Sequence, residues 1–421
     1  MANARKIAVT ALQRVNCDNA YSNITLNEIL SACDADSNER ALATLLFYGV
    51  LDRKITLDYV LNSLIKSGIK KLKPLTLETL RVALYQLMYT DKIPPSAAVN
   101  EAVKIIKKSK ESFNASFVNG VLRNFLRNPI ELPQDNSVKS VSIRYSCPEW
   151  IIDELFNDYD VDTVLAFLEN SLKPAPLTLR VNTAKLTADE LITKLNESGY
   201  ETEKYSECTV VVKGSVIKEN ELFYGGAFFV QDLSSQKCAE TLSVKKGERI
   251  LDMCAAPGGK SFTMAVLMEN DGEIVSCDIH PHRTKLILDG AKRLGLEIIK
   301  PLCQDATVFN SDLGEFDAVL CDVPCSGLGI IRRKPDIKYK EKIDFTELES
   351  IQLSILENAA RYVKNGGRIV YSTCTLRKNE NERIINAFLD KNSGFSLKES
   401  KTYLPQTDMG DGFFTALLIK K

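Results

Sequence analysis

The sequence predicts a multidomain fold: an all-α bundle, then a small α+β module, then a Rossmann-like α/β domain. Three observations carry that expectation. Apolar residues recur at helical spacing through residues 1–130, with no strand-like alternation between them. Pro129, Pro133 and Pro148 then interrupt a polar stretch. From residue 247 onward, short apolar runs alternate with helical patterns at the spacing of βαβ units. A chain of 421 residues is too long for one average domain, and 44% hydrophobic against 26% charged residues supplies several cores.

Taken in order, the helical faces of the first part are Ile7, Ala8, Ala11, Leu12 and Val15; Leu42, Leu45, Leu46 and Val50; and Leu77, Leu80, Leu84, Leu87 and Met88. Val99, Ala102, Val103 and Ile106 follow the helix-start signal Pro94-Pro95-Ser96, and Phe117, Val118, Val121, Leu122 and Phe125 complete the set. Residues 1–130 therefore form a bundle. Residues 131–148 read as a linker and 149–235 as the α+β module, with strands at Leu177–Val181 and Thr209–Val212 and a helix over 187–197. Residues 236–421 form the last domain, a doubly wound parallel sheet. Its strands are Arg249–Met253, Glu273–Asp278, a third before Asp305, Phe316–Asp322 and Arg368–Ser372, with Phe413–Lys420 as the final one.

Charge divides along the same lines. Residues 1–130 hold 18 basic and 11 acidic residues, whereas the rest hold 36 and 44, so a net charge of −1 hides a basic first domain. Lys104, Lys107, Lys108, Lys110, Arg123 and Arg127 cluster there, an electrostatic handle for phosphates. Arg332, Arg333, Lys334, Lys338 and Lys340 form a second basic run that could meet an RNA backbone.

The eleven cysteines lie among aliphatic residues rather than in a framework, which suits reduced thiols. Cys321 and Cys325 have a spacing zinc can use, but no second pair follows and the only histidines are His280 and His282. No metal is expected. The first residues lack a continuous apolar leader, and no run nears the roughly 18 apolar residues of a membrane span. A soluble, cytoplasmic protein without a membrane partner is expected.

The strand Arg249–Met253 runs into Cys254-Ala255-Ala256-Pro257-Gly258-Gly259-Lys260 and then a helix. This is a low-walled turn where the glycines permit close approach of a ligand at the sheet's carboxyl edge. Neither the dinucleotide nor the nucleoside-triphosphate fingerprint is present. Asp278 ends the next strand, where a carboxylate grips ribose hydroxyls, and Asp305 after the third strand could hold an adenine amino group. Together these favour an adenosine-type cofactor.

Cys325 in Asp322-Val323-Pro324-Cys325 and Cys374 in Ser372-Thr373-Cys374-Thr375 end neighbouring strands, so both can face one pocket. The chemistry needing such a set is methylation of a pyrimidine at C5. A thiolate adds to C6, the ring becomes an enamine that attacks an electrophilic methyl, and the thiol must later leave. A second thiol suits that release. Asp322 is placed to stabilise the adduct through N3 and the exocyclic amine, and partial burial could keep it protonated when needed.

At D-x-C-A-A-P-G-G-K-S, D-V-P-C-S-G-x-G-x-x-R-R-x-P-D-I-K, S-T-C-T and G-D-G-F-F-T-A the chain resembles the bacterial RNA (cytosine-5) methyltransferases. Val99-Asn100-Glu101-Ala102-Val103 and Phe117-Val118-Asn119-Gly120-Val121-Leu122 are similar to NusB-like RNA-binding domains. The resemblance spans nearly the whole chain, with Val323 where the family commonly has Ala and Tyr339 where Trp is common. It implies Cys374 as nucleophile and Cys325 as the residue assisting product release. It also implies S-adenosyl-L-methionine held by Cys254, Ala255, Ala256, Pro257, Gly258, Gly259, Lys260, Asp278, Asp305 and Asp322. DNA cytosine methyltransferases use the Pro-Cys cysteine instead, so the S-T-C-T cysteine favours RNA, and the NusB-like fusion favours small-subunit ribosomal RNA. The alternatives are a transfer-RNA cytosine-5 methyltransferase and a non-catalytic RNA-binding or assembly factor; intact Cys325, Cys374, Asp322 and G-G-K argue against the second.

Overall fold

The computed structural model describes residues 3–18, 22–214, 217, 220–339 and 345–421. The chain packs as two compact units. The first comprises Met1–Leu172 with Lys334–Glu341, and the second Lys173–Arg333 with Lys342–Lys421.

The first unit contains α1–α6 (Ala4–Asp18, Ser22–Ser31, Ser37–Leu64, Pro74–Tyr89, Pro95–Lys107 and Ala115–Arg127). Start signals are local: Asp36 accepts from the Glu39 N–H ahead of α3, and prolines open α4 and α5. The faces read from the sequence make one core, in which Leu12, Leu46, Leu80, Leu84, Val99, Ile106, Val118 and Leu122 are fully buried; Leu45 and Phe117, read onto the same faces, are instead exposed. The stretch expected as a linker is not one. Its second half is α7 (Val138–Tyr145), started by Ser137 and docked on α3, where the Thr56 hydroxyl donates to the Ile143 carbonyl at 2.6 Å. With α8 (Glu149–Asp158) and α9 (Val161–Ser171) it packs in the helical unit, which runs to Leu172, beyond the bundle read at 1–130.

The second unit opens with a four-stranded antiparallel sheet made of β1 (Leu177–Val181), β2 (Glu201–Ser206), β3 (Thr209–Lys213) and β4 (Phe228–Val230), in the order β2-β3-β1-β4. α10 (Ala188–Glu197), started by a Thr187/Glu190 capping box, covers it. α11 (Glu221–Tyr224) leads into β4, and α12 (Leu233–Thr241) follows. The expected boundary at residue 235 falls inside α12, whose Cys238 and Ala239 pack into the core of the larger sheet. The large sheet comprises β5 (Arg249–Asp252), β6 (Glu273–Asp278), β7 (Ile299–Cys303), β8 (Phe316–Asp322), β9 (Val363–Thr373), β10 (Phe395–Tyr403) and β11 (Phe413–Lys420). Its order is β10-β11-β9-β8-β5-β6-β7. β5 to β9 are parallel, while β11 runs antiparallel to both its neighbours β9 and β10, so the sheet is mixed rather than wholly parallel. α13 (Gly259–Leu267), α14 (Pro281–Leu294), α15 (Thr346–Tyr362) and α16 (Glu382–Lys391) pack on the sheet, and α17 (Pro405–Asp408) precedes β11.

The small sheet is tied to the large one. Asn182 donates to the carbonyls of Gly226 and Leu294, both at 2.9 Å, and Arg293 of α14 donates to the Phe228 carbonyl at 3.1 Å. The order reverses at β5, between β6 and β8, which opens a crevice at the carboxyl ends of these strands.

Candidate active site

The turn after β5 lies at that crevice. Gly258 caps α13 at φ 109°, and a Cβ there would stand 2.4 Å from the Phe262 ring, so only glycine fits. The Ala255 N–H donates to the Cys277 carbonyl at 2.7 Å, and Arg283 donates to the Ala256 carbonyl at 3.0 Å. Asp278, ending β6, is 3% exposed; its carboxylate accepts from the His280 N–H at 3.0 Å and pairs with Arg283 at 3.1 Å. Asp305, beyond β7, accepts from the N–H and hydroxyl of Thr307 at 2.8 and 2.7 Å. A small pocket beside it is lined by Met253, Cys277, Ala306, Val308 and Asn358. Apolar walls beside a carboxylate, a second buried carboxylate one strand away and a glycine turn match the needs of an adenosine moiety.

Beneath the turn, Asp252 is fully buried and accepts from the Ser261 hydroxyl at 2.7 Å; burial pushes its carboxyl up to about 7. Lys260 reaches across to Asp322 at 2.7 Å, and the Ser372 hydroxyl donates to the other Asp322 oxygen at 2.9 Å. Burial alone would lower the Lys260 ammonium, but Asp322 holds it above the usual lysine range. Asp322 is thus ion-paired with Lys260.

β8 and β9 pair in parallel with Asp322 opposite Ser372, which brings the loops beyond them together. The sulfurs of Cys325 and Cys374 lie 3.0 Å apart, and the Cys374 N–H donates to Cys325 Sγ at 3.2 Å. The hydrogen bond with Cys374, reinforced by burial, raises the Cys325 thiol well above its ordinary value, so Cys325 keeps its proton. The loops are fastened to each other: the hydroxyls of Ser326 and Thr375 are 2.7 Å apart, and the Gly329 N–H donates to the Cys374 carbonyl at 3.0 Å. A Cβ on Gly329 would sit 2.1 Å from the Gly412 carbonyl, so this crossing needs glycine.

The sequence reading missed Glu380, Gln352, Arg283 and Asp411. Glu380 is fully buried and accepts from the Ser326 N–H at 2.8 Å, Gln352 at 2.9 Å and Arg377 at 3.1 Å, bracing the Cys325 loop. Its setting, R-K-N-E-N-E-R, reads as a solvated charge run, and only the fold reveals the carboxylate inside.

In the second basic run, Arg332, Arg333 and Lys338 are ion-paired within the protein, whereas Lys334 is exposed. Arg332 pairs with Asp411, and Arg333 with Asp411 and Asp232. Lys338 is 1% exposed and donates to the Asp52 carboxylate and carbonyl at 2.6 and 2.9 Å, while the Tyr339 hydroxyl donates to the Leu51 carbonyl. The acids that neutralise these cations come from distant sequence, so composition could not reveal the pairing. Lys340 lies outside the described residues. His280 and His282 are exposed, their rings 5.5 Å apart, and no three metal-ligating side chains gather among the described residues. No described helix is long and apolar enough to cross a membrane.

A mixed seven-stranded sheet with a glycine turn after β5 and paired cysteines beyond β8 and β9 suits a methyltransferase, and comparison with known proteins shows an RNA methyltransferase. Residues 239–419 match the family described as 16S rRNA methyltransferase RsmB/F, residues 2–127 the NusB family, and residues 147–216 the ferredoxin-like domain of RsmF/B-like methyltransferases. The chain is 40% identical over 400 residues to the probable ribosomal RNA small subunit methyltransferase B of Bacillus subtilis, covering 93% of this chain and 89% of that protein. It is 33% identical to ribosomal RNA small subunit methyltransferase B of Escherichia coli O1:K1, over 100% of this chain and 99% of that one. The crystal structure of PH0851 superposes with a TM-score of 0.82 at 26% identity, covering 100% and 99% of the two chains. The chain belongs to the RsmB/F family of 16S rRNA methyltransferases.

Proposed function

We propose that the protein methylates C5 of a cytosine in small-subunit ribosomal RNA, with S-adenosyl-L-methionine as donor and a covalent bond between Cys374 and C6 of the base. The observation carrying this reading is the pair of sulfurs 3.0 Å apart at the ends of two adjacent strands, beside the Lys260–Asp322 ion pair. Residues Cys254–Lys260, Asp278, Asp305 and Asp322 would hold the cofactor, and Gly258 supplies the left-handed backbone of the turn. When bound, S-adenosylmethionine supplies an electrophilic methyl group.

This chain's residues do the rest. The Cys374 thiolate adds to C6 and makes C5 nucleophilic. Asp322, held by Lys260 and Ser372, orients the base through its N3 edge. After methylation, water takes the C5 proton, the C5–C6 double bond re-forms and Cys374 leaves as thiolate, with the Cys325 thiol beside it assisting that release. The target base must leave its stack to enter such a site.

Cys374→Ala should abolish transfer of labelled methyl to small-subunit RNA while cofactor binding persists; full transfer would remove the nucleophile assignment. Cys325→Ala should instead trap a denaturant-resistant protein–RNA adduct. Bisulfite sequencing of small-subunit RNA from a deletion strain identifies the target, and an unmodified tRNA pool there would refute the ribosomal reading.

A further inference from the structure

We propose that Cys325 and Cys374 are a redox modification site: in the absence of RNA they close into a reversible disulfide that shuts the active site. Both thiols are partly buried, and their sulfurs stand 3.0 Å apart. A disulfide needs about 2.05 Å between sulfurs, so closure asks for about 1 Å of approach. The two loops that carry the sulfurs are already fastened to each other. Ser326 meets Thr375 at 2.7 Å, Gly329 reaches the Cys374 carbonyl, and Glu380 holds the Ser326 N–H.

The roles of the two sulfurs follow from their setting. Cys325 keeps its proton through the hydrogen bond with Cys374 and burial; Cys374, the nucleophile proposed above, is the sulfur that meets an oxidant, reacting as its thiolate. A hydroperoxide delivers one oxygen to that thiolate, giving the sulfenic acid and releasing an alkoxide that takes a proton from water. The Cys325 thiol then displaces hydroxide from the sulfenic sulfur, the S–S bond forms, and hydroxide leaves as water with the thiol proton. Two thiols are oxidised by two electrons and one peroxide bond is reduced. A dithiol reverses the step by exchange, emerging as its own disulfide. Closing the bond before a second oxygen arrives spares Cys374 the irreversible sulfinic state. Bond formation rests on the geometry alone, whereas its effect on methyl transfer rests on the nucleophile assignment above.

The test treats reduced full-length protein with a small excess of hydrogen peroxide, caps remaining thiols with N-ethylmaleimide and maps the peptides by mass spectrometry. The expected result is a linked peptide pair joining Cys325 to Cys374, a proportional loss of methyl transfer, and recovery of both on adding dithiothreitol. Prior incubation with substrate RNA should reduce linkage several-fold. Sulfenic or sulfinic acid at Cys374 without the link overturns the proposal. So does a link confined to protein that still carries exposed Cys17 and Cys303, which the double variant Cys17→Ser/Cys303→Ser reveals. A complete link with undiminished transfer overturns the switch and the nucleophile assignment together. An absent link alongside an inactive Cys374→Ala variant overturns the switch alone.

Discussion

Asp252 carries a chemical tension at the residue scale. It is a carboxyl with no exposure, its oxygen bonded to Ser261, which in turn touches Ser276 at 2.8 Å. Burial lifts it to about 7, far above an unfolded aspartate near 3.9. Between those values the folded chain keeps a proton that the unfolded chain has lost. The contribution is therefore fully present below about pH 4 and is lost as pH climbs toward 7, by up to about 1.4 kcal/mol per unit. Thermal melts of wild type and Asp252→Asn across pH 5 to 8 should separate, with wild type declining more steeply. Parallel curves would show that the carboxyl ionises freely. The same scale explains Glu380: a buried carboxylate bonded to a guanidinium, an amide and a backbone N–H braces the loop that carries Cys325.

Among the elements, the short helical segment Pro335–Tyr339 best separates anchoring from RNA contact. Lys338 is buried against Asp52, and Lys54 lies 4.8 Å from the Tyr339 ring centroid, so the segment is pinned to α3. Removing the Lys338 cation leaves the Asp52 carboxylate with a lost partner, at a cost of about 3 kcal/mol for a buried pair and less where Asp52 meets water. Lys338→Met should therefore lower the melting temperature while leaving the salt dependence of RNA affinity unchanged. A drop of about one in the log–log salt slope would instead make Lys338 a phosphate contact.

For the whole molecule, the charge division acquires a location. Lys104, Lys107, Lys108 and Lys110 are exposed at the end of α5 and just beyond it, and Arg123 and Arg127 are exposed on α6. The other cations of interest, Arg332, Arg333 and Lys338, are spent on internal acids. Replacing Lys107, Lys108 and Lys110 together by Glu should weaken RNA binding and lower the salt slope by about 2, since each neutralised phosphate contributes roughly 0.7–0.9. Cofactor affinity, measured by calorimetry, should not move. Equal losses of both would mean the patch only supports folding. Cutting the chain at residue 130 is a poorer test, because α7 closes on α3 through Thr56 and Ser146.

The order of helices, the parallel strands from β5 to β9, the cofactor turn and both cysteines were legible in the amino-acid sequence. Each is written in local periodicity or in a short motif at a strand end, where the backbone's direction already says which side chains share an edge. β10 was not legible, since F-S-L-K-E-S-K-T-Y is mostly exposed at a sheet edge and lacks apolar alternation. Nor was α7, which sits among prolines and polar residues. The fates of Lys338, Arg333, Asp252 and Glu380 belonged to the folded chain. A charged residue type favours water by default, and only partners from distant sequence, such as Asp52, Asp411, Asp232 or Arg377, make its burial tolerable.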